Sequence, residues 1–344
     1  MASVVRKKTG QDKGGEAAVV KKVMENGDQY KGQLAADGLP GGQGSMRYAN
    51  GDQYTGAFKK GLKHGKGDKV NKDGTTYTGN YVADKPSGPG LFQWPGGESY
   101  EGEWGNGVFH GKGIKQSPAE GSSFDGEWRD GLPHGYGKCH YGDGSRYEGQ
   151  WRDGQPHGTG TKYNQDGSQF EGDWLNGVAT GKGIKTMANG TLYDGDWINS
   201  NITYGKCTFK PTGDTYVGEW RDGKPEGKGK KVWADTGNVY EGQFYQGKPC
   251  GEGTKARPPK EEKEGDEPPV AEKAGFWVGG KFFAGAAPEG VLDKQLDYLV
   301  GAAQVEEDKT KRLEDVEGPP AESVFAKKAE RSRGEKTGED VFKG

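Results

Sequence analysis

Tyr100-Glu-Gly-Glu-Trp104, followed by Asn106-Gly107 and then His110-Gly-Lys-Gly113, is the stretch that decides how this chain folds. Tyr100, Gly102 and Trp104 stand at offsets 0, 2 and 4, the two-residue period of a strand, so two rings flank a bare glycine on one face. Glu101 and Glu103 then point to the other face. Asn-Gly supplies the positive φ that a tight hairpin turn requires, and the glycine-rich run from His110 reads as the returning strand.

The same unit recurs on both sides. An aromatic two residues ahead of a glycine is found at Tyr30, Tyr54, Tyr77, Tyr100, Phe124, Tyr147, Phe170, Tyr193, Tyr216 and Tyr240, always 23 or 24 residues from the last. Four residues after each anchor stands a second large side chain: Leu34, Phe58, Tyr81, Trp104, Trp128, Trp151, Trp174, Trp197, Trp220 and Phe244. Turn dipeptides such as Asn50-Gly51, Asp73-Gly74, Asp130-Gly131, Asp143-Gly144, Asp153-Gly154, Asp166-Gly167, Asn176-Gly177 and Asp222-Gly223 separate the strands. Self-similarity at such a period marks an array whose units pack on their neighbours. The expected fold is all-β: an elongated, twisted, single-layer antiparallel sheet of ten hairpins over residues 24–255.

Composition agrees with a thin sheet. Only 30% of residues are hydrophobic while 65 are glycine, too little aliphatic material for a thick two-layer interior, so the 9 Trp and 16 Tyr must do the packing. Lys and Arg total 48 against 51 acidic residues, which predicts no nucleic-acid partner and makes membrane contact a local matter at most. Three scattered cysteines, Cys139, Cys207 and Cys250, point to a reducing compartment. The first 22 residues lack an apolar stretch of signal-peptide length, and no 18 apolar residues run together, so a cytoplasmic protein is expected.

Together, Tyr100-Glu-Gly-Glu-Trp104, Asn106-Gly107 and His110-Gly-Lys-Gly113 resemble a nearly ideal membrane-occupation-and-recognition-nexus (MORN) repeat, and the resemblance covers about residues 24 to 255. Departures stand at Asp37 and Asp84 in place of the turn glycine, and in the unit from Tyr193, where Ser200-Asn-Ile-Thr-Tyr204 displaces the His-Gly step. The sheet is expected to be least regular over 198–207. The resemblance implies a scaffold in a multi-subunit cytoskeletal assembly, of the kind found in motile cilia at radial-spoke heads or central-apparatus projections.

Beyond the repeats, 1–23 reads as a flexible charged segment and 256–274 as a Pro-rich charged linker. Residues 275–316 would hold an aromatic segment, Phe276 to Phe283, and a short amphipathic helix. The aromatic segment is either a degenerate eleventh strand or a cap on the last hairpin, the cap being preferred because it would cover an exposed edge. Leu292, Leu296 and Leu299 form the helix's apolar stripe, which packs on this chain or docks into a partner. The tail, 317–344, reads as disordered.

Catalytic and metal chemistry is not favoured by the spacing. His64, His110, His134 and His157 recur two strands apart, about 10 Å, too far to share one metal ion. Carboxylate pairs such as Glu101 and Glu103 recur on nearly every unit, whereas a catalytic dyad needs one site with two environments. Gly-Lys-Gly runs lack the phosphate-loop spacing and the helix that follows it. No enzyme activity, cofactor or metal is therefore expected. Lys69, Lys115, Lys162, Lys185, Lys231 and Lys255 form a basic row that could meet acidic lipid, but cross-strand pairing with the acidic row is the better reading.

The expected partner surface is the ring-and-glycine face, carried by Tyr100, Trp104, Phe124, Trp128, Tyr147, Trp151, Phe170, Trp174, Tyr193, Trp197, Tyr216 and Trp220. Ten units carry more aromatic surface than one layer is expected to bury. Partners, including a second MORN-repeat protein, would add to this face or to the sheet edges.

Overall fold

The computed structural model describes residues 18–256, 273–278 and 280–284. They contain 23 strands. The first twelve are β1 (Val20–Val23), β2 (Gln29–Leu34), β3 (Pro40–Arg47), β4 (Gln53–Lys59), β5 (Leu62–Val70), β6 (Thr76–Val82), β7 (Lys85–Gln93), β8 (Ser99–Gly105), β9 (Val108–Ser117), β10 (Ser122–Arg129), β11 (Leu132–His140) and β12 (Arg146–Arg152). The remainder are β13 (Gln155–Tyr163), β14 (Gln169–Leu175), β15 (Val178–Thr186), β16 (Leu192–Ile198), β17 (Asn201–Thr208), β18 (Thr215–Arg221), β19 (Lys224–Val232), β20 (Val239–Tyr245), β21 (Lys248–Ala256), β22 (Lys273–Val278) and β23 (Lys281–Ala284). One 3₁₀ turn, Pro118–Glu120, is the sole helical element among the described residues.

The chain forms two compact units, one up to Gln155 and one from Pro156. In the first, β1 to β12 each pair antiparallel with their chain neighbour. In the second, β13 to β23 do the same. The all-β antiparallel class is the one that the repeat spacing dictates. The amphipathic helix with Leu292, Leu296 and Leu299 lies outside the described residues, as do most of the expected linker and both ends.

Register is set by glycine. Within each compact unit the anchor-strand glycine faces the returning-strand glycine, as in Gly102 with Gly113, Gly126 with Gly137 and Gly172 with Gly183. The ladder then slips. Gly126 pairs with Gly137 but Glu127 with His134, so Gly135 and Tyr136 bulge out, with Gly135 at φ 62°. The two turn classes differ. Asn106-Gly107, Asp130-Gly131 and Asp222-Gly223 carry positive φ at both residues, as a two-residue hairpin turn demands. In Asp73-Gly74, Asp143-Gly144 and Asp166-Gly167 only the glycine does. There the aspartate instead accepts the N–H two residues on, at 2.8–2.9 Å from Thr75, Ser145 and Ser168.

Asp84 does occupy the turn-glycine slot, at φ 69°. Asp37 does not, because the first hairpin has a longer loop and keeps a glycine one residue later, Gly38, at φ 77°.

The segment from Lys273 combines both alternatives offered for it. β22 joins β21 with Gly275 opposite Gly253 and Trp277 opposite Gly251, the same register as a repeat, and β23 closes an eleventh hairpin. It covers the edge of β21 by extending the ladder.

Candidate interaction surface

The aromatic row is a core. Tyr100 is 0% exposed and Trp128 4%, and Trp104, Phe124, Tyr147, Trp151, Phe170, Trp174, Trp197, Tyr216 and Trp220 are likewise buried; Tyr193 alone of the twelve is half-buried. The premise of an exposed ring surface is thus corrected. Trp128 stands edge-on between two anchors, 5.0 Å from Phe124 at 84° and 5.3 Å from Tyr100 at 88°. Conversely, the anchor Tyr54 makes edge contacts to both Phe58 and Tyr81, and the anchor Phe170 to both Trp174 and Trp197. Edge-to-face pairs of this kind contribute about 0.5–1.5 kcal/mol each beyond the area they bury.

The glycine pair makes this possible. The Tyr100 ring lies across Gly102 and Gly113, so that a Cβ on Gly113 would clash with its hydroxyl and the ring carbons beside it. Its hydroxyl donates to the Glu103 carbonyl at 2.9 Å, and Tyr54, Tyr147 and Tyr216 each repeat that bond three residues on. The six indoles of the expected row, from Trp104 to Trp220, each have an acceptor. Trp128 Nε1 donates to the Gly113 carbonyl at 2.9 Å, Trp151 to Gly137, Trp197 to Gly183 and Trp220 to Gly205. Buried rings with satisfied polar ends have no reason to seek a partner.

The basic row lies on the ring face. Lys115 sits opposite Tyr100 and Phe124, and Lys231 opposite Tyr216 and Tyr240, because a residue two past the face glycine shares its side. Cross-strand pairing with the acids one and three past the anchor is therefore excluded by period, and the ammonium groups lie over rings: Lys115 is 5.5 Å from Trp94, Lys255 5.8 Å from Trp277 and Lys231 5.1 Å from Trp233, Lys231 also bridging Asp214 at 3.3 Å. Lysines of the opposite parity meet that acidic row, Lys138 with Glu148 at 2.9 Å and Lys230 with Glu241 at 3.2 Å.

One pair on the ring face is deeply buried. Lys69 is 0% exposed and bridges Asp52 at 3.3 Å, while Lys63, also buried, bridges Asp84 at 3.3 Å. Burial, then the neighbouring Lys63 charge, pulls the Lys69 pKa below its ordinary value. Burial would raise Asp52, but the Lys72 N–H and the Lys69 ammonium together hold it below the usual carboxylate range. The corresponding slot one repeat earlier is filled by Met46. Sequence reasoning missed this pair, although an Asp two residues before the anchor was a usable signal.

Burial pushes the Cys139 and Cys207 thiols up to about 12, which makes them poor nucleophiles. Among the described residues no three His, Cys, Asp or Glu side chains gather around one point. His134 stands by the turn, 3.9 Å from Asp153. Among the described residues, the polar face meets solvent, and β1 and β23 each make one ladder, with β2 and β22.

A family model for the MORN repeat matches residues 30–53, 54–76, 77–99, 100–120, 124–146, 147–169, 170–192, 216–237 and 240–259, more than half of the chain. The chain belongs to the MORN repeat family. Nine MORN units are thus matched where the spacing gave ten, and the one passed over begins at Tyr193. A curated relative is the inactive protein tyrosine kinase pTKL of Plasmodium berghei (strain Anka), 44% identical over 55 residues; the match spans 16% of this chain and 4% of that protein.

Among solved structures, the TCP10c domain of Drosophila melanogaster Sas-4 is 15% identical, with 51% of this chain and 89% of that one covered at a TM-score of 0.23. The TCP10 domain of Danio rerio CPAP, in complex with a peptide of Danio rerio STIL, is 15% identical over 78% of this chain and 98% of that one, at a TM-score of 0.20.

Proposed function

We propose that this MORN chain is a non-enzymatic scaffold that holds other proteins in a cytoskeletal assembly. One observation carries this: the rings of the row are buried against their own and neighbouring hairpins, which leaves strand edges and a polar face as the available groups among the described residues. Such groups suit contact with several proteins at once and no single small substrate. The finer assignment, an axonemal place at a radial-spoke head or a central-apparatus projection, rests on the resemblance to ciliary MORN scaffolds. A second MORN-repeat protein is a fitting partner, since edge strands of equal repeat length can pair in register.

Cross-linking mass spectrometry on the native assembly tests the scaffold, with links expected from the polar face and from the β1 and β23 edges. Absence of any intermolecular link in a complex that contains the chain would end it. Tagging the chain in ciliated cells tests the location. The competing reading, an adaptor apposed to acidic phospholipid, is weakened by the placement of Lys69 against Asp52 and of Lys115, Lys231 and Lys255 over rings; flotation with phosphoinositide liposomes would separate the two.

A further inference from the structure

The bulge of a hairpin turns one backbone N–H out of the ladder, and in four hairpins the chain supplies its own acceptor from the residue three past the anchor. Tyr136 N–H donates to Glu127 at 3.3 Å, Lys182 N–H to Asp173 at 2.9 Å, Lys228 N–H to Glu219 at 3.1 Å and Gln43 N–H to Gln33 at 3.2 Å. In each carboxylate case the acid rests on the bulge glycine: the nearest atoms to a Cβ built on Gly135, Gly181 or Gly227 belong to Glu127, Asp173 or Glu219. Where the hairpin from Tyr77 carries Asn80, the bulge residue is Pro89, which has no N–H to satisfy.

The hairpin from Tyr54 breaks this rule. Its residue three past the anchor is Ala57, which has no acceptor, yet the bulge residue is Lys66, which has an N–H. Around Gly65, at φ 66°, a built Cβ meets the Ala57 methyl at 3.4 Å and no other atom within 4 Å. The counterpart of Lys66 is Lys182, whose N–H is taken by Asp173 and whose ammonium pairs with Asp196 across the next strand. At Lys66 both acids are replaced, by Ala57 and by Asn80, its partner across β6. Lys66 is exposed and makes no ion pair among the described residues. His64 is half-buried alongside it, and Asp68 is the one acid near it on the same strand face.

We propose that the notch formed by the Lys66 N–H, the Gly65 backbone and the Lys66 ammonium receives a carboxylate from an acidic side chain of a protein partner. The same chemistry is met internally by Asp173 and Asp196 around Lys182, so the receptor is built and only the acid is external. It names the chemistry of one contact of the scaffold and rests on that reading.

The test is an amide-resolved titration of the full chain with sodium acetate and with a glutamate-rich peptide, set against sodium chloride at equal ionic strength. Saturable shifts at the Lys66 and Gly65 amides are expected with acetate and peptide and not with chloride. Ala57→Glu should abolish them and raise the thermal midpoint by filling the notch from within, and Asp173→Ala should create the same response at the Lys182 amide. Equal responses to peptide and chloride, or an unchanged peptide response in Ala57→Glu, would overturn the proposal. Failure of the scaffold reading is distinguishable, since it would remove intermolecular cross-links and leave these amide shifts in place.

Discussion

The hairpin from Phe124 and the hairpin from Tyr193 share anchor, glycine and tryptophan at the same offsets, and yet only the first is well formed. In the first, two residues bulge from β11; in the second, Gly195 pairs with Gly205, Asp196 with Tyr204 and Trp197 with Ile202, so only Thr203 is extra. The residue lost is the left-handed glycine. The chain returns to its period by lengthening the next loop, where the Phe209 N–H donates to Asp214 across five residues in place of the four spanned from Tyr141 to Ser145.

The ring registers the change. Phe124 covers Gly137, whereas a Cβ on Gly195 or Gly205 would meet backbone and not the Tyr193 ring. Tyr193 turns its hydroxyl to the Cys207 thiol and keeps an edge contact to Trp220, 5.4 Å away. A correct strand pattern therefore does not suffice for a correct core, because the bulge sets where the returning glycine sits beneath the ring.

The largest expected difference between the two regions lies in ring removal. Trp128→Ala should cost about 3–5 kcal/mol, since it opens a cavity between two anchors, while Tyr193→Ala should cost roughly 2 kcal/mol; urea unfolding of the full chain would measure both, and equal costs would erase the distinction. Next comes the buried pair. Asp52→Ala strands the Lys69 ammonium and should cost about 3 kcal/mol, whereas Lys69→Met, which copies the Met46 slot, should leave stability unchanged or higher.

The acid dependence of stability follows from Asp52. Its folded pKa is depressed, so its contribution is present above the unfolded value of about 3.9 and is lost as pH falls through the lower folded value. Lys69 acts oppositely. With its folded pKa lowered, it disfavours the fold at neutral pH, and stability recovers as pH rises from that value toward the unfolded one, about 10.4. Comparing wild type with Lys69→Met across acid and alkaline ranges would separate the two.

Smaller changes sharpen the comparison further. Inserting a glycine after Thr203 while deleting Thr212 should restore the two-residue bulge, lay the Tyr193 ring on its glycine pair and add roughly 1 kcal/mol, the size of one edge-to-face pair; ring-current shifts at the Gly205 protons would report it. Gln246→Asn, at a left-handed turn position with φ 45° where other hairpins carry Asn or Asp, should add about 0.5–1 kcal/mol.

Much of this was legible in the residues themselves. Strand period, hairpin turns, the repeat spacing and the weakness over 198–207 are local properties, set by side-chain alternation and by which residues tolerate positive φ. The candidate surface was not legible in the same way. Whether Trp128 is bare or buried depends on Tyr100, 28 positions earlier, lying across a glycine pair, and the partner of Lys115 is set by strand parity and a loop tryptophan, not by the nearest acid in sequence. Ala57 beside Lys66 looks unremarkable in sequence; its meaning comes from the register it shares with hairpins such as the one from Phe170, where Asp173 takes the equivalent N–H. Local pattern determined that this chain is a row of antiparallel hairpins; only packing between strands decided which of its side chains are already spoken for, because that depends on contacts between residues far apart in the chain.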